Sequence, residues 1–200
     1  MAKPLLEFWY EFASPYSYLA AMRIEREAEV AGVEIGWRPF LLGPVFAAQG
    51  WTTSPFNLFP AKGRYMWRDM AREAEALGLP WRQPDPFPQS SLLAARVALV
   101  GQDAGWCPAF TTAVLCAEFG RGSSIADPDV IADVLRKLGL DPRSVLDAAL
   151  SEGNKARLRA QGDAASARRI FGAPTFIAAD GETFWGNDRL DRALAWAARL

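Results

Sequence analysis

Leu5-Leu6-Glu7-Phe8-Trp9-Tyr10-Glu11-Phe12, one alanine, then Ser14-Pro15-Tyr16-Ser17 is the stretch on which the fold turns. Apolar residues alternate up to Phe12, as in a strand, and the residues after Ser14 repeat at helical spacing. A hydroxyl at a strand-to-helix turn, followed by proline at the first helical position, aims a polar group and free backbone N–H groups at one spot. Such a spot suits an anion or a thiolate. Far along the chain, Phe171-Gly172-Ala173-Pro174-Thr175-Phe176 places a second proline where a late strand begins.

Working outward, the first strand puts Leu6, Phe8, Tyr10 and Phe12 on one face and Glu7, Trp9 and Glu11 on the other. The helix runs from Pro15 to about Ala31, with Ser14 as N-cap and Gly32 as stop. Ala20, Ile24, Ala28 and Ala31 form a narrow stripe fit for packing on a sheet, and Arg23, Arg26 and Glu29 lie opposite. A second strand alternates Val33, Ile35 and Trp37 until Pro39, giving a β-α-β unit whose crossover is expected to be right-handed. Residues 40–61, with Pro44, Pro55 and Pro60, read as a long loop, the kind that is usually functional. A helix over Lys62 to Leu77 turns Met66, Met70 and Leu77 to one side, and Gly78 stops it. The proline-rich link Pro80 to Pro88 then leads to helices covering about 90–170, where Asp127-Pro128 and Asp141-Pro142 are cap pairs. Strands return at Thr175 to Ala179 and Glu182 to Trp185 around Asp180-Gly181, a two-residue type I′ hairpin signal. Asn187 or Asp188 caps a last helix that carries Leu190, Leu194 and Ala197 inward. The order is β-α-β, a helical block, then β-β-α: an α/β chain built on a mixed four-stranded sheet.

Composition narrows the function. The chain has 200 residues, a net charge of −1, two cysteines and no histidine. Near-neutral charge marks no nucleic-acid or anionic-membrane partner. Lack of histidine removes Ser-His-Asp and Cys-His catalysis and histidine metal sites, and no metal centre is expected. Cys107 and Cys116 form no C-x-x-C pair; one helical stretch would hold them roughly 13 Å apart, too far for a disulfide. Both read as reduced and buried. Met1-Ala2-Lys3-Pro4 leads straight into the first strand, and no apolar run is long enough to span a membrane, so a soluble cytoplasmic setting is the expectation. Eight tryptophans either fill the core or line a cavity, with Trp51, Phe56, Trp67, Trp81 and Phe87 as candidates for an aromatic wall. Glu73 and Glu75 read as solvated surface.

Phe12 to Ala20, Pro60-Ala61-Lys62-Gly63-Arg64-Tyr65-Met66, Phe171 to Phe176 and Phe184-Trp185-Gly186-Asn187-Asp188-Arg189-Leu190 together resemble the 2-hydroxychromene-2-carboxylate isomerases. These are relatives of the kappa-class glutathione transferases within the DsbA-like thioredoxin superfamily, and the likeness covers essentially the whole chain. It implies a thioredoxin-like sheet formed by residues 1–42 and 170–200, with a loop and a large all-helical insertion at 43–169. It further implies glutathione as cofactor, a cis peptide before Pro174, an aromatic carboxylate substrate and a homodimer. On this resemblance Ser14 is the catalytic residue, and Ala173 and Pro174 hold glutathione through the backbone. Trp185, Gly186, Asn187 and Asp188 take its γ-glutamyl end, Asn57 and Lys62 contribute from the other side, and Tyr16 and Phe87 face the substrate. Phe87 stands near the place where related enzymes put a tyrosine.

Each assignment has a plainer counterpart. Ser14 also reads as a simple N-cap, Ala173-Pro174 as an ordinary trans proline, Asn187 and Asp188 as helix caps, and Lys62 as a solvated lysine. The chemistry expected of the site is glutathione-dependent isomerisation. A kappa-like glutathione transferase or peroxidase and a non-catalytic thioredoxin-like binding module are the alternatives. A dithiol oxidoreductase is disfavoured because Ser14 and Ser17 fill both cysteine positions.

Overall fold

A computed structural model describes residues 3–200; Met1 and Ala2, the start of the segment expected to lead directly into the first strand, lie outside the described residues. In chain order the elements are β1 (Leu5–Tyr10), α1 (Pro15–Ala31), β2 (Glu34–Pro39), α2 (Leu42–Ala48), α3 (Pro55–Leu58) and α4 (Pro60–Ala76). Then come α5 (Leu92–Ala104), α6 (Cys107–Leu115), a π-helical turn (Cys116–Gly120), α7 (Pro128–Lys137), α8 (Pro142–Leu150) and α9 (Glu152–Ala167). The chain closes with β3 (Thr175–Ala178), β4 (Thr183–Trp185), a 3-10 turn (Asn187–Arg189) and α10 (Leu190–Ala197). The strands form one sheet in the order β2-β1-β3-β4. β1 runs parallel to β2 and antiparallel to β3, and β3 pairs antiparallel with β4. The expected mixed four-stranded sheet is therefore present.

Local signals set the first helix. Ser14 is extended (φ −97, ψ 112) and its side chain accepts from the Ser17 N–H; Pro15 occupies the first turn; Gly32 ends the helix at φ 69. Asp127 and Asp141 cap α7 and α8 in the same way, each followed by proline. On one face of β1, Leu6, Phe8 and Tyr10 are fully buried and join α1, α5 and α6 in the main core. Phe8 stacks on Phe176 of β3 at 5.4 Å, and Trp37 of β2 meets Phe8 edge-on at 5.1 Å. Such aromatic pairs across strands add to the burial that holds the sheet.

The opposite face of β1, expected to hold Trp9 together with the acids, is covered. Trp9 is buried with Phe40, Ala165, Ile170 and Ile177, roofed by residues of α2 and α9. Glu7 survives there because Trp9 Nε1 (2.9 Å), Arg38 Nε (3.0 Å) and Arg168 (3.5 Å) all reach its carboxylate. The strand also stops at Tyr10 rather than Phe12, and Glu11 turns inward with 5 % of its surface exposed.

Four further expectations are corrected. Residues 40–61 are not one loop: they hold α2 and α3, and α4 begins at Pro60 instead of Lys62. Prolines at helix starts are compatible with short helices, and Ser54 caps α3 by accepting from the Phe56 N–H at 3.3 Å. Leu77 is exposed, whereas Met66 and Met70 are buried. The β3–β4 connection is a three-residue loop: the Gly181 N–H donates to Ala178 O and the Ala178 N–H to Glu182 O, and only Gly181 (φ 90) has positive φ. A type I′ turn needs positive φ at both central residues, so this is a type I turn with a glycine bulge. Finally, neither Asn187 nor Asp188 caps α10 with its side chain; a 3-10 turn leads in, while Leu190, Leu194 and Ala197 are buried as expected.

α3 lies against α4 at Gly63, where an added Cβ would collide with the carbonyl oxygen of Phe56. Backbone cannot yield as a flexible side chain can. Gly63→Ala should therefore cost about 1–3 kcal/mol in urea unfolding; wild-type stability in that variant would mean the α3–α4 contact does not matter.

Candidate functional site

The β1–β3 pairing brings the two ends of the chain together. Ser14, at the N-terminus of α1, donates its hydroxyl to the carbonyl of Ala173 at 3.0 Å across 159 residues. Ala173-Pro174 is cis, as expected from the resemblance. Ser14 Oγ also accepts the Ser17 N–H at 3.2 Å. Pro15 has no N–H and the Tyr18 N–H donates to Ser14 O. Among the described residues the Tyr16 N–H has no partner at this helix end, so it points free positive charge at the same place. Ser14 is only 5 % exposed. N-cap and candidate catalytic hydroxyl are thus the same atom.

Pro174 O accepts the Gly186 N–H at 2.9 Å, tying the end of β4 to this corner. Gly186 is at φ 108, and a Cβ there would come within 2.6 Å of Asp188 Oδ1. A Cβ on Gly172 would stand 2.5 Å from Trp185 Nε1. The backbone is thus cut away on both flanks. Trp185 is half-exposed and packs on Phe171 at 5.0 Å, two aromatics left at the edge of the sheet. Asn187 is buried: its Oδ1 accepts from Arg23 Nε (3.2 Å) and its carbonyl from Arg23 Nη2 (2.6 Å). Asp188 is exposed and pairs with Arg189 at 2.6 Å.

A second group of expected residues sits on α3, α4 and the link that follows. Asn57 Nδ2 donates to the Phe87 carbonyl at 3.0 Å. Phe87 meets Trp67 edge-on at 4.7 Å, and Trp81 lies 6.1 Å from Trp67. Asn57, Trp67, Gln83, Pro84, Asp85 and Phe87 line a cleft of about 420 Å³. Lys62 is exposed and makes no ion pair among the described residues. Of the proposed aromatic wall, Trp51 stands apart on Phe46. Tyr16 joins the two groups, with its ring 6.4 Å from Phe56 and its hydroxyl donating to Asp69 of α4 at 3.2 Å. Burial, then the Asp69 charge, pushes the Tyr16 hydroxyl well above its ordinary range.

Both cysteines are free. Cys107 is buried among Tyr10 and Thr111, and burial raises its thiol. Cys116 is only half-buried, against expectation, with Arg121 at 3.5 Å from its sulfur. Among the described residues no cluster of three or more metal-ligating side chains occurs, and no helix is long and apolar enough to cross a membrane.

Sequence reading missed three residues here. Arg23, assigned to the outer face of α1, is the clamp on Asn187; only the long-range contact reveals it. Glu11 and Glu118 are buried acids. Burial lifts Glu11 to about 7, weakly offset by the Ser91 hydroxyl and the Ala13 N–H. Glu118 is held well above the usual carboxylate range, by burial and then by the Glu11 charge. An acid inside the apolar run Phe110–Phe119 was the available signal for Glu118.

These contacts are those of a known architecture. Residues 5–195 match the model of the DSBA-like thioredoxin domain. The 2-hydroxychromene-2-carboxylate isomerase of Sphingobium xenophagum is 30% identical over 187 residues, covering 93% of this chain and 94% of that one. The chain belongs to the DSBA-like thioredoxin family. Within it, the solved structure of a 2-hydroxychromene-2-carboxylate isomerase superposes with a TM-score of 0.87 at 28% identity, covering 98% of this chain and 95% of that one. Glutathione s-transferase kappa 2 of Caenorhabditis elegans is 26% identical over 209 residues, 98% of this chain and 92% of its own.

The buried acids make stability depend on pH. Between about 4.5 and 7 the folded protein keeps a proton on Glu11 that the unfolded chain releases, so the stability this group contributes falls as pH rises through that window and its share of the decline ends above it. Glu11→Gln should remove a share of about 3 kcal/mol from this decline. Urea melts of both proteins across the window check it; equal slopes would contradict the assignment.

Proposed function

We propose that this enzyme is a glutathione-dependent isomerase of 2-hydroxychromene-2-carboxylate-type compounds. The observation that carries the reading is the Ser14 hydroxyl held on Ala173 O at a helix N-terminus, in a chain whose full-length relatives bear that isomerase name. The residues present fit the tripeptide. Gly172 and Gly186 let Trp185 and Asp188 pack close to the backbone on either side of Ala173-Pro174, the Ala173 backbone offers strand-like pairing, and Asn187 is oriented by Arg23.

When bound, glutathione supplies a thiolate that adds reversibly to a conjugated carbon, allowing ring opening and cis–trans rotation with the thiol regenerated. The chain's own residues do the rest. Ser14 swings its proton from Ala173 O toward the sulfur, while Ser17 N–H keeps hold of Ser14 Oγ. The Tyr16 N–H and the helix dipole favour the anion over the thiol, whose free value is about 8.5. Serine suits this task because it donates without forming a disulfide. Trp67 and Phe87, packed edge to face, offer aromatic surface to an aromatic substrate, and Asn57 holds the Phe87 carbonyl in place. Trp185, Gly186, Asn187 and Asp188 receive the γ-glutamyl end and Lys62 the glycyl carboxylate. The same reading brings a homodimer and a cytoplasmic setting, where reduced thiols persist. Similarity to a kappa-class transferase supports a second reaction at the same site: conjugation, recognised by a stable thioether product.

Purified protein with 2-hydroxychromene-2-carboxylate should give an absorbance change only when glutathione is present; a change independent of glutathione, or none, would refute the reading. Ser14→Ala should lower kcat/KM by about 10²-fold with the fold unchanged by circular dichroism. Full activity in that variant would remove Ser14 from the chemistry.

A further inference from the structure

Two buried carboxyls are left over by the reaction above. Glu11 lies between the end of β1 and the serine turn and is bound to that turn through its own backbone. Its carbonyl accepts the Ser14 N–H at 3.1 Å, and its N–H donates to Ser17 Oγ at 3.4 Å. Its carboxyl accepts the Ser91 hydroxyl. The Ser17 N–H in turn donates to Ser14 Oγ. Both serines of the turn are therefore hydrogen-bonded directly to the backbone of Glu11. Glu118, in the π-helical turn, is fully buried and neither carboxyl oxygen has a partner. Interruptions of this kind within helices are frequent at functional sites.

Among the described residues the surroundings offer these acids no neutralising cation. From α1, Tyr18 gives its hydroxyl to Pro80 O at 2.7 Å. From the α4–α5 link, Gln89 Oε1 takes the Ile125 N–H at 2.7 Å and its amide nitrogen has no partner. Arg82 of that link lies along Gly122. Around α6 and the π turn, Cys107 sits with Tyr10 and Thr111, and Arg121 with Cys116. Among the described residues neither Arg82 nor Arg121 pairs with either acid. Two carboxyls so placed cannot both ionise at little cost, since each charge is felt in a medium that screens poorly.

We propose that Glu11 is a positioning residue for the serine turn whose proton is coupled to the anion held there: Glu11 is neutral while an anion occupies the N-terminus of α1, and its ionisation weakens that anion. Glu118 stays protonated throughout and prevents a second charge from forming beside the first. The proton given up by an incoming thiol is then matched, above neutral pH, by one taken up at Glu11. The identity of the anion rests on the glutathione reading; the link between Glu11 and the serine amides does not.

The test has two arms. In the ligand-free protein, the nitrogen-15 shifts of the Ser14 and Ser17 amides should titrate together near neutral pH. Glu11→Gln should abolish that step and Glu118→Gln should keep it. Ser91→Ala, which removes a donor to the ionised form, should move it upward, and this variant decides the matter should Glu11→Gln fold poorly. In the second arm, ultraviolet absorbance of bound glutathione thiolate should show the thiol ionising about one unit lower in Glu11→Gln than in wild type. Amide shifts that stay flat, a step that survives in Glu11→Gln or vanishes in Glu118→Gln, or identical thiol ionisation in both proteins would each overturn the proposal. If the amides titrate as expected while glutathione does not bind, the coupling stands and the glutathione reading falls.

Discussion

One hydrogen bond organises this molecule: Ser14 Oγ to Ala173 O, 3.0 Å long and closing 159 residues of chain. It forms because β1 and β3 are antiparallel neighbours, so the turn leaving one strand faces the loop entering the other. Loop closure over that length is entropically costly, and the stacked aromatics Phe8 and Phe176 across the same strand pair offset it. The consequences spread from there. Pro174 O fixes Gly186, Gly186 starts the turn that presents Asn187, and Arg23 on α1 clamps Asn187 back onto the helix that Ser14 caps. Two elements distant in sequence thereby become one rigid corner.

That corner was partly legible in the sequence. Ser14, Pro15 and Gly32 act on their own neighbours, as do the Asp-Pro caps of α7 and α8, so a local reading finds them. Strand faces were legible only on the side lined by Leu6, Phe8 and Tyr10. On the other side, alternation grouped Trp9 with Glu7 and Glu11 and no more; α2 and α9 cover that face, which no local pattern announces. α2 and α3 escaped because seven- and four-residue helices among prolines carry too few turns to show a period. Arg23 and Glu11 were illegible for a different reason. Their roles come from partners 164 and 80 residues away in the chain, and an arginine or glutamate otherwise reads as surface.

Chemically, the corner where β1 meets α1 presents hydroxyls and no thiol: Ser14 and Ser17 stand there, and both cysteines lie elsewhere. Cys107 is buried and raised, which suits packing rather than exchange. The polarity at the helix start comes from Ser14, the Tyr16 N–H and the dipole, and it favours an anion brought from outside. A cleft lined in part by Trp67 and Phe87 lies on the α3–α4 side, and Tyr16 reaches that side through Phe56 and Asp69. On the proposed reading, a thiolate held at the helix start with an aromatic cleft on the α4 side is what nucleophilic addition to a conjugated substrate requires.

The central claim is that a glutathione sulfur lies at the N-terminus of α1. A crystal structure of the protein with reduced glutathione tests it most directly. The account requires the sulfur within hydrogen-bond distance of Ser14 Oγ and the cysteinyl backbone paired with Ala173. Glutathione bound elsewhere, with the Ser14–Ala173 contact intact, would contradict it.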